Sequence, residues 1–150
     1  MSERIMVNGE NMKILVMGLP GSGKTHLSER LQKVLNCAWY NADVIRGAAN
    51  DWDFSTEGRL RQASRMRTFA DFEILNGRSV MCDFVAPVEA ARRQFNADRV
   101  IWVDTIEEGR FEDTNKLFEA PTDVDMHITT HLSDEEIETL AQHMMEDWNV

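Results

Sequence analysis

Hydrophobic residues along the chain form short runs that alternate with segments of helical spacing. The apolar runs predict five strands, at residues 12–17, 36–41, 79–85, 100–104 and 125–130. Apolar spacing and capping signals predict helices at residues 25–35, 44–50, 56–76, 88–95 and 133–148. Strands that alternate with helices indicate a three-layer α/β fold, in which a mostly parallel five-stranded sheet carries helices on both faces.

Two segments have a less regular pattern. Residues 106–120 are polar and poorly periodic, which predicts a mobile stretch with a turn of helix. The long helix at 56–76 carries arginines in its first half, and these form either a solvated face or an anion site. Its second half is apolar, and we expect core positions at Phe69, Phe72, Ile74 and Leu75.

Composition narrows the range of functions. The formal net charge of −10 argues against a general nucleic-acid binder, because such proteins present basic surfaces. No apolar run approaches the roughly 18 residues that span a bilayer, and no signal peptide is visible, so we expect a soluble, cytoplasmic protein without a membrane partner. Cys37 and Cys82 lie in apolar runs, which favours buried, reduced thiols. We expect a flexible leader at residues 1–11 and one domain at 12–150.

Residues 18–25 carry the strongest functional signal. They fit G-x-x-x-x-G-K-[ST], the phosphate-binding loop (P-loop), and lie between a predicted strand and a predicted helix. Backbone N–H groups of such a loop point at an anion, Lys24 reaches the β- and γ-phosphates, and Thr25 binds magnesium. The motif therefore predicts ATP and Mg²⁺ as cofactors, bound by Gly18, Pro20, Gly21, Ser22, Gly23, Lys24 and Thr25.

Three aspartates end or follow apolar runs. Asp83 interrupts a run that otherwise reads as a central strand, and a buried carboxylate there is costly unless it is paired or near a metal. We favour Asp83 as a catalytic acid that holds magnesium through water over a strand-end residue that caps a turn. On spacing alone Asp43 is equally compatible with a functional and a structural role, and Asp104 is interpreted as structural.

Arginines and one aromatic residue suggest an acceptor site. Arg46 and Arg59 fall near the carboxyl ends of strands, where ligands bind in such sheets. Guanidinium groups suit phosphate or sulfate oxygens, so a small anionic substrate is favoured over a polymer. Phe54 lies in a polar loop, where its ring either stacks on a base or covers the core.

These segments together resemble the adenylylsulfate kinase family. The likeness runs from about residue 12 to residue 130, in order and with compatible spacing, and it extends to short versions carried by bacterial viruses. It rests on the P-loop, on Asn41-Ala42-Asp43-Val44-Ile45-Arg46-Gly47, on Asp53-Phe54-Ser55 with Arg59 and Gln62, on Phe84-Val85-Ala86-Pro87 and on Phe118-Glu119-Ala120-Pro121.

The resemblance implies a P-loop kinase that phosphorylates the 3′-hydroxyl of adenylylsulfate with ATP. By position, Asp43 orients or deprotonates the attacking hydroxyl and Lys24 acts on the phosphates. Arg46 and Arg59 hold the phosphosulfate, Phe54 stacks on adenine, and Gln62 stands where the family has Asn. Family members are often dimers, so the resemblance is compatible with a homodimer.

The sequence also departs from the family pattern. Asn41 replaces the first family Asp, Asp83 replaces an Ala, and the family's lid segment is reduced to residues 107–110 and their neighbours. Two alternatives therefore stay open. One is a kinase for another hydroxyl, such as a nucleoside, a nucleotide or a modified base in viral DNA. The other is an ATPase or nucleotide-binding module that needs no acceptor.

Overall fold

The computed structural model describes residues 11–150. The predicted leader therefore lies outside the described residues, apart from Asn11. Within the described part there are five strands and six helices. In chain order they are β1 (Lys13–Met17), α1 (Lys24–Val34), β2 (Cys37–Asn41), α2 (Ala42–Ala49), α3 (Thr56–Leu75), β3 (Ser79–Asp83), α4 (Glu89–Phe95), β4 (Arg99–Val103), α5 (Glu112–Leu117), β5 (Met126–Ile128) and α6 (Asp134–Asp147).

The strands form one sheet in the order β2-β3-β1-β4-β5, and every pairing is parallel. This confirms the predicted α/β fold, with a wholly parallel sheet in place of a mostly parallel one. Val16 of β1 pairs with Asp83 of β3, and Asn41 of β2 pairs with the same Asp83. The carboxyl ends of these three strands therefore meet at one edge, directly before the P-loop.

Helices cover both faces of the sheet. Ile14 and Val16 belong to the core cluster that includes residues of α1 and α6, whereas Leu15 and Met17 belong to the cluster on the side of α3 and α4. Because alternate side chains of β1 enter two different cores, the strand is apolar at nearly every position. The one polar exception, Lys13, is buried and ion-paired with Asp71 at 2.8 Å.

The prediction for the second half of α3 was largely wrong. Phe69, Phe72 and Leu75 are 38%, 59% and 85% exposed, and of the four expected core residues Ile74 packs partly against the core. The helix instead turns a face of small or flexible residues to the sheet, at Ala63, Met66 and Ala70. Small side chains allow the helix to approach the strands closely, and Phe69 stacks on Tyr40 of the edge strand with ring centroids 5.1 Å apart.

Other features agree with the sequence patterns. Ser133 and Glu136 form the reciprocal capping box that starts α6. Cys37 and Cys82 are buried free thiols, and burial raises the pKa of Cys37 to about 11. In residues 11–150, no helix combines the length and apolar character needed to cross a bilayer.

Substitution of Phe95 tests the packing of the core between the sheet and α4. Its side chain is fully buried and meets the Phe84 ring edge-on at 5.4 Å. We expect Phe95→Ala to lower the free energy of unfolding by about 3–5 kcal/mol, because it removes apolar contacts and leaves a cavity. Phe72→Ala is the matched control on an exposed ring and should change stability by about 0.5 kcal/mol or less. Urea denaturation followed by circular dichroism measures both, and equal losses would contradict the packing described.

Candidate active site

The P-loop forms the turn between β1 and α1. Gly18 has no room for a side chain, since an added Cβ would lie 2.4 Å from the carbonyl oxygen of Val103. Gly23 adopts a φ of 101° as it leads into α1, a conformation that favours glycine. Ser22 is fully buried, and its Oγ has no hydrogen-bond partner within the described chain. The backbone of the loop is thus shaped to surround an anion at a helix N-terminus.

Asp83 lies at the centre of a buried polar cluster at the end of β3. Its side chain is 1% exposed, and Oδ1 accepts hydrogen bonds from Thr25 Oγ1 at 3.1 Å and Asn41 Nδ2 at 3.0 Å. The other oxygen, Oδ2, accepts from the indole Nε1 of Trp39 at 2.5 Å. Three donors, one on α1 and two on β2, therefore fix both oxygens of this carboxylate.

Electrostatics link this cluster to the P-loop lysine. Burial raises the pKa of Asp83, while the hydrogen bond from Trp39 and the charge of Lys24 act in the opposite direction. Burial lowers the pKa of Lys24, and the charges of Asp83 and Asp43 oppose that shift. The charges of one buried and one exposed aspartate thus both favour the protonated form of Lys24.

The donor set fits a magnesium–nucleotide complex. Thr25 and Asp83 bring a hydroxyl and a carboxylate oxygen within 3.1 Å of each other. Among residues 11–150 there is no group of three or more His, Cys, Asp or Glu side chains that could hold a metal ion by themselves. Magnesium in nucleotide sites is held by one or two carboxylates together with phosphate oxygens, so a complete protein cage is not required.

One groove collects the predicted acceptor residues. It is also lined by residues 84–87 after β3 and by Ala91 of α4. The sequence placed candidate acceptor contacts on three separate segments, and the fold brings them to the same groove. They are Asp43, Arg46, Phe54, Arg59 and Gln62.

Phe54 lies against two guanidinium groups. Its ring centroid is 4.3 Å from the guanidinium carbon of Arg46 and 5.4 Å from that of Arg59, yet the residue stays 51% exposed. Arg46 is itself buried and donates from Nη1 to the carbonyl oxygens of Asp51 and Asp53, at 2.8 and 3.2 Å. Burial lowers the pKa of Arg46 and of Arg59. The loop that carries the ring is therefore held by an arginine of the groove.

Gln62 is committed to contacts within the protein. It is 3% exposed, its Nε2 donates to the carbonyl oxygen of Ala42 at 3.1 Å, and its Oε1 accepts from Arg65 at 2.5 Å. Arg65 in turn forms an ion pair with Asp51, with 2.7 Å between Nη2 and Oδ2. Gln62 thus joins α2 to α3, and it lines the groove with an amide that already has partners.

Three features of this site were not predicted from the sequence. Trp39 lies inside a short apolar strand. The sequence pattern there does not distinguish an indole that donates to a carboxylate from an indole that fills a core. Thr114, on the poorly periodic segment, accepts a hydrogen bond from Arg59 Nη2 at 3.2 Å. A second groove flanks the start of α1, and among its lining residues are Ser22, Gly23, His26, Thr105, Thr130 and His131.

A sequence profile of the adenylylsulphate kinase family matches residues 10–108. The chain belongs to the adenylylsulphate kinase family. The matched region contains the P-loop, the polar cluster and every lining residue of the acceptor groove, and the family predicted from the motifs is confirmed.

A curated relative from Aeropyrum pernix is described as a probable adenylyl-sulfate kinase. The two are 36% identical over an alignment of 88 residues, and the match covers 53% of this chain and 46% of that protein. The chain thus matches about half the length of this curated relative.

Solved structures agree on the fold. The Mycobacterium tuberculosis APS kinase CysC in complex with AMPPNP and APS superposes with a TM-score of 0.72 at 18% identity, covering 94% of this chain and 99% of that one. Shikimate kinase from Aquifex aeolicus superposes with a TM-score of 0.62 at 13% identity, covering 92% and 99%. At these identities the likeness shows a shared fold, which also serves a kinase with a different acceptor.

Gly58 offers a test of how the Phe54 loop is positioned. It lies in the first turn of α3, where its N–H donates to Ser55 Oγ at 3.1 Å, and an added Cβ would lie 2.2 Å from the carbonyl oxygen of Asp53. We expect Gly58→Ala to destabilise the protein by about 1–3 kcal/mol, because the overlap with backbone outweighs the gain in helix propensity of about 1 kcal/mol.

Gly47 provides the matched control, also within a helix. An added Cβ there would meet Trp52 at 3.8 Å, an ordinary contact. Gly47→Ala should leave stability unchanged or raise it by up to about 1 kcal/mol. Urea unfolding of both variants decides the point, and a stable Gly58→Ala protein would show that this loop tolerates displacement.

Proposed function

We propose that the protein is a magnesium-dependent kinase that transfers the γ-phosphoryl group of ATP to the 3′-hydroxyl of adenylylsulfate. One observation carries the proposal. Asp43 lines the acceptor groove, and its charge also acts on Lys24 of the P-loop. A carboxylate in that position stands between the phosphates of a nucleotide and the hydroxyl of a bound acceptor.

On the nucleotide side, the loop from Gly18 to Thr25 surrounds the phosphates with backbone N–H groups. Pro20, Gly21 and Ser22 shape the loop, and Gly23 starts the helix whose N-terminus faces the anion. Lys24 places its ammonium group on the β- and γ-phosphates. The groove beside His26 and His131 accommodates the nucleoside part of the same molecule.

On the acceptor side, the groove matches an anionic nucleotide. Arg46 and Arg59 supply charge for phosphate and sulfate oxygens, which guanidinium groups bind well. The exposed face of Phe54 provides a surface on which adenine stacks. Gln62 acts by fixing α2 against α3, because its amide is used within the protein.

Phosphoryl transfer then needs little covalent participation by the protein. Asp43 orients the acceptor hydroxyl and accepts its proton as the oxygen bonds to the γ-phosphorus. The bond between that phosphorus and the β-γ bridging oxygen breaks, and ADP leaves. Thr25 and Asp83 would hold a magnesium ion, which when bound neutralises charge on the phosphates. Trp39 and Asn41 keep the Asp83 carboxylate in place.

A second candidate is a kinase for a different hydroxyl acceptor. One observation on Gln62 favours it. Gln62 lies at the groove position expected to bind the acceptor, yet its amide already forms hydrogen bonds with Ala42 and Arg65. A small anionic alcohol would still satisfy Arg46, Arg59 and Asp43.

The deciding measurement is ADP release from ATP with a panel of acceptors. The panel contains adenylylsulfate, common nucleosides and nucleotides, shikimate, hydroxymethylated DNA and a blank, each with magnesium and with excess chelator. We expect magnesium-dependent release that adenylylsulfate stimulates, with a product phosphorylated on the 3′-oxygen. Stimulation by another acceptor alone would overturn the proposed substrate. Equal release in the blank would favour the acceptor-independent ATPase.

Two isosteric variants separate the roles of the two acids. Asp43→Asn should lower kcat by about 10²–10⁴-fold, since it removes the proton acceptor, and leave the magnesium dependence unchanged. Asp83→Asn should raise the magnesium concentration needed for half-maximal activity by about 10–100-fold. Magnesium titrations at saturating ATP measure both. The same magnesium response in the two variants would contradict this division of roles.

A further inference from the structure

The part of the acceptor groove that follows β3 has an unusual backbone. Ala86 adopts a φ of 47°, in the left-handed region that residues with a side chain rarely enter, and it is 1% exposed. Ala86 and Pro87 both line the acceptor groove, and we call these two residues the groove wall. A backbone in such a conformation persists only where surrounding contacts enforce it, and such positions cluster at ligand sites. The contacts that hold the groove wall therefore bear on how the groove works.

A single guanidinium group binds both residues of the groove wall. Arg92 of α4 donates from Nε to the carbonyl oxygen of Ala86 at 2.9 Å and from Nη2 to that of Pro87 at 3.4 Å. The same Nη2 donates to the carbonyl oxygen of Glu119, in the chain between α5 and β5. The Arg92 side chain is 9% exposed. One buried side chain thus contacts three carbonyl oxygens on two separate segments.

Residues 118–119 are also attached to the groove wall directly. The Glu119 N–H donates to the carbonyl oxygen of Pro87 at 2.7 Å. The centroid of the Phe118 ring lies 5.5 Å from the guanidinium carbon of Arg92 and 6.3 Å from the ring centroid of Trp102 on β4. The Arg92 side chain and the Glu119 amide therefore both join the groove wall to a stretch that packs against the sheet.

The contacts of Arg92 with the groove wall are made to backbone atoms. In the described part of the chain, the preceding residue Ala91 lines the acceptor groove and Arg92 does not. Its remaining nitrogen, Nη1, lies 3.7 Å from Glu89 Oε2 and forms no hydrogen bond within residues 11–150. Bonds from two nitrogens of one planar group fix direction as well as distance, which a flexible ammonium group does not reproduce. Arg92 therefore affects the shape of the groove rather than its charge.

We propose that Arg92 is a positioning residue for the phosphoryl acceptor, because it holds Ala86 and Pro87 in the conformation in which the groove receives that molecule. The inference deepens the proposed function and rests on it for the identity of the acceptor. Phosphoryl transfer depends chiefly on placement, and a displacement of about 1 Å costs on the order of 10²-fold in rate. Movement of the groove wall therefore weakens acceptor binding without a change in the residues that bind the nucleotide.

Steady-state kinetics with ATP and adenylylsulfate test this role. The proteins are the unchanged chain, Arg92→Ala, Arg92→Lys and Arg93→Ala. Arg93 is the matched control, because it is the next residue of α4, carries the same charge and pairs with the same Glu89, at 3.6 Å, but has a 77% exposed side chain. Urea unfolding of each variant establishes that folded proteins are compared.

Arg92→Ala should raise the Michaelis constant of the acceptor by about tenfold or more and change that of ATP by about twofold at most. Arg92→Lys keeps the charge but loses the planar fork, so it should raise the acceptor constant by about threefold or more. Arg93→Ala should match the unchanged chain. If Arg92→Ala does not fold, Arg92→Lys decides the role. An unchanged acceptor constant, equal increases for ATP and acceptor, or the same increase in Arg93→Ala would each overturn the proposal.

Hydrogen exchange provides a second readout, which needs no acceptor. The Glu119 amide, which donates to Pro87, should exchange about tenfold faster or more in Arg92→Ala, while the amides of β1 keep their rates. An unaltered Glu119 rate would overturn the proposal. If the unchanged chain phosphorylates a different acceptor of the panel, the proposed substrate is wrong, and the Michaelis constant of that acceptor decides the role of Arg92.

Discussion

A buried carboxylate, that of Asp83, is the constraint around which the site is built. A charge removed from water costs several kcal/mol unless donors replace its hydration. Thr25, Trp39 and Asn41 provide those donors from α1 and β2. The same Asn41 accepts from the Val44 N–H and caps α2, the helix that carries Asp43 and Arg46. The Asp83 carboxylate, the P-loop and α2 are therefore fixed relative to one another by a single polar cluster.

The fold was largely predictable because its signals are local. Continuous apolar runs indicate strands buried on both faces, as in β1, and the P-loop motif defines the turn into α1. Asp43, Arg46, Phe54, Arg59 and Gln62 were selected by motif order, and the parallel sheet places them in one groove because their segments follow strands that end at the same edge.

The remainder depends on tertiary contacts that no local pattern encodes. Phe69 and Phe72 are large apolar residues of the kind that usually fill a core. They are exposed because α3 packs against the sheet through the small side chains of Ala63 and Ala70. Thr114 lies where hydrophobic periodicity is weak, so its proximity to Arg59 follows only from the path of the chain. The hydrogen bonds of the Gln62 amide to Ala42 and Arg65 likewise depend on tertiary packing, which the local sequence does not show.

The bond between Thr114 and Arg59 has a thermodynamic consequence. One stretch of chain touches the phosphate loop through Gly109 and the acceptor groove through Thr114. A ligand that displaces Thr114 from Arg59 alters the freedom of the same stretch that lies against the phosphate loop. We therefore expect the two ligands to be linked, each changing the affinity of the other by one common factor. Calorimetric titration of each ligand with and without the other measures that factor, and a value of one would mean that the two grooves act independently.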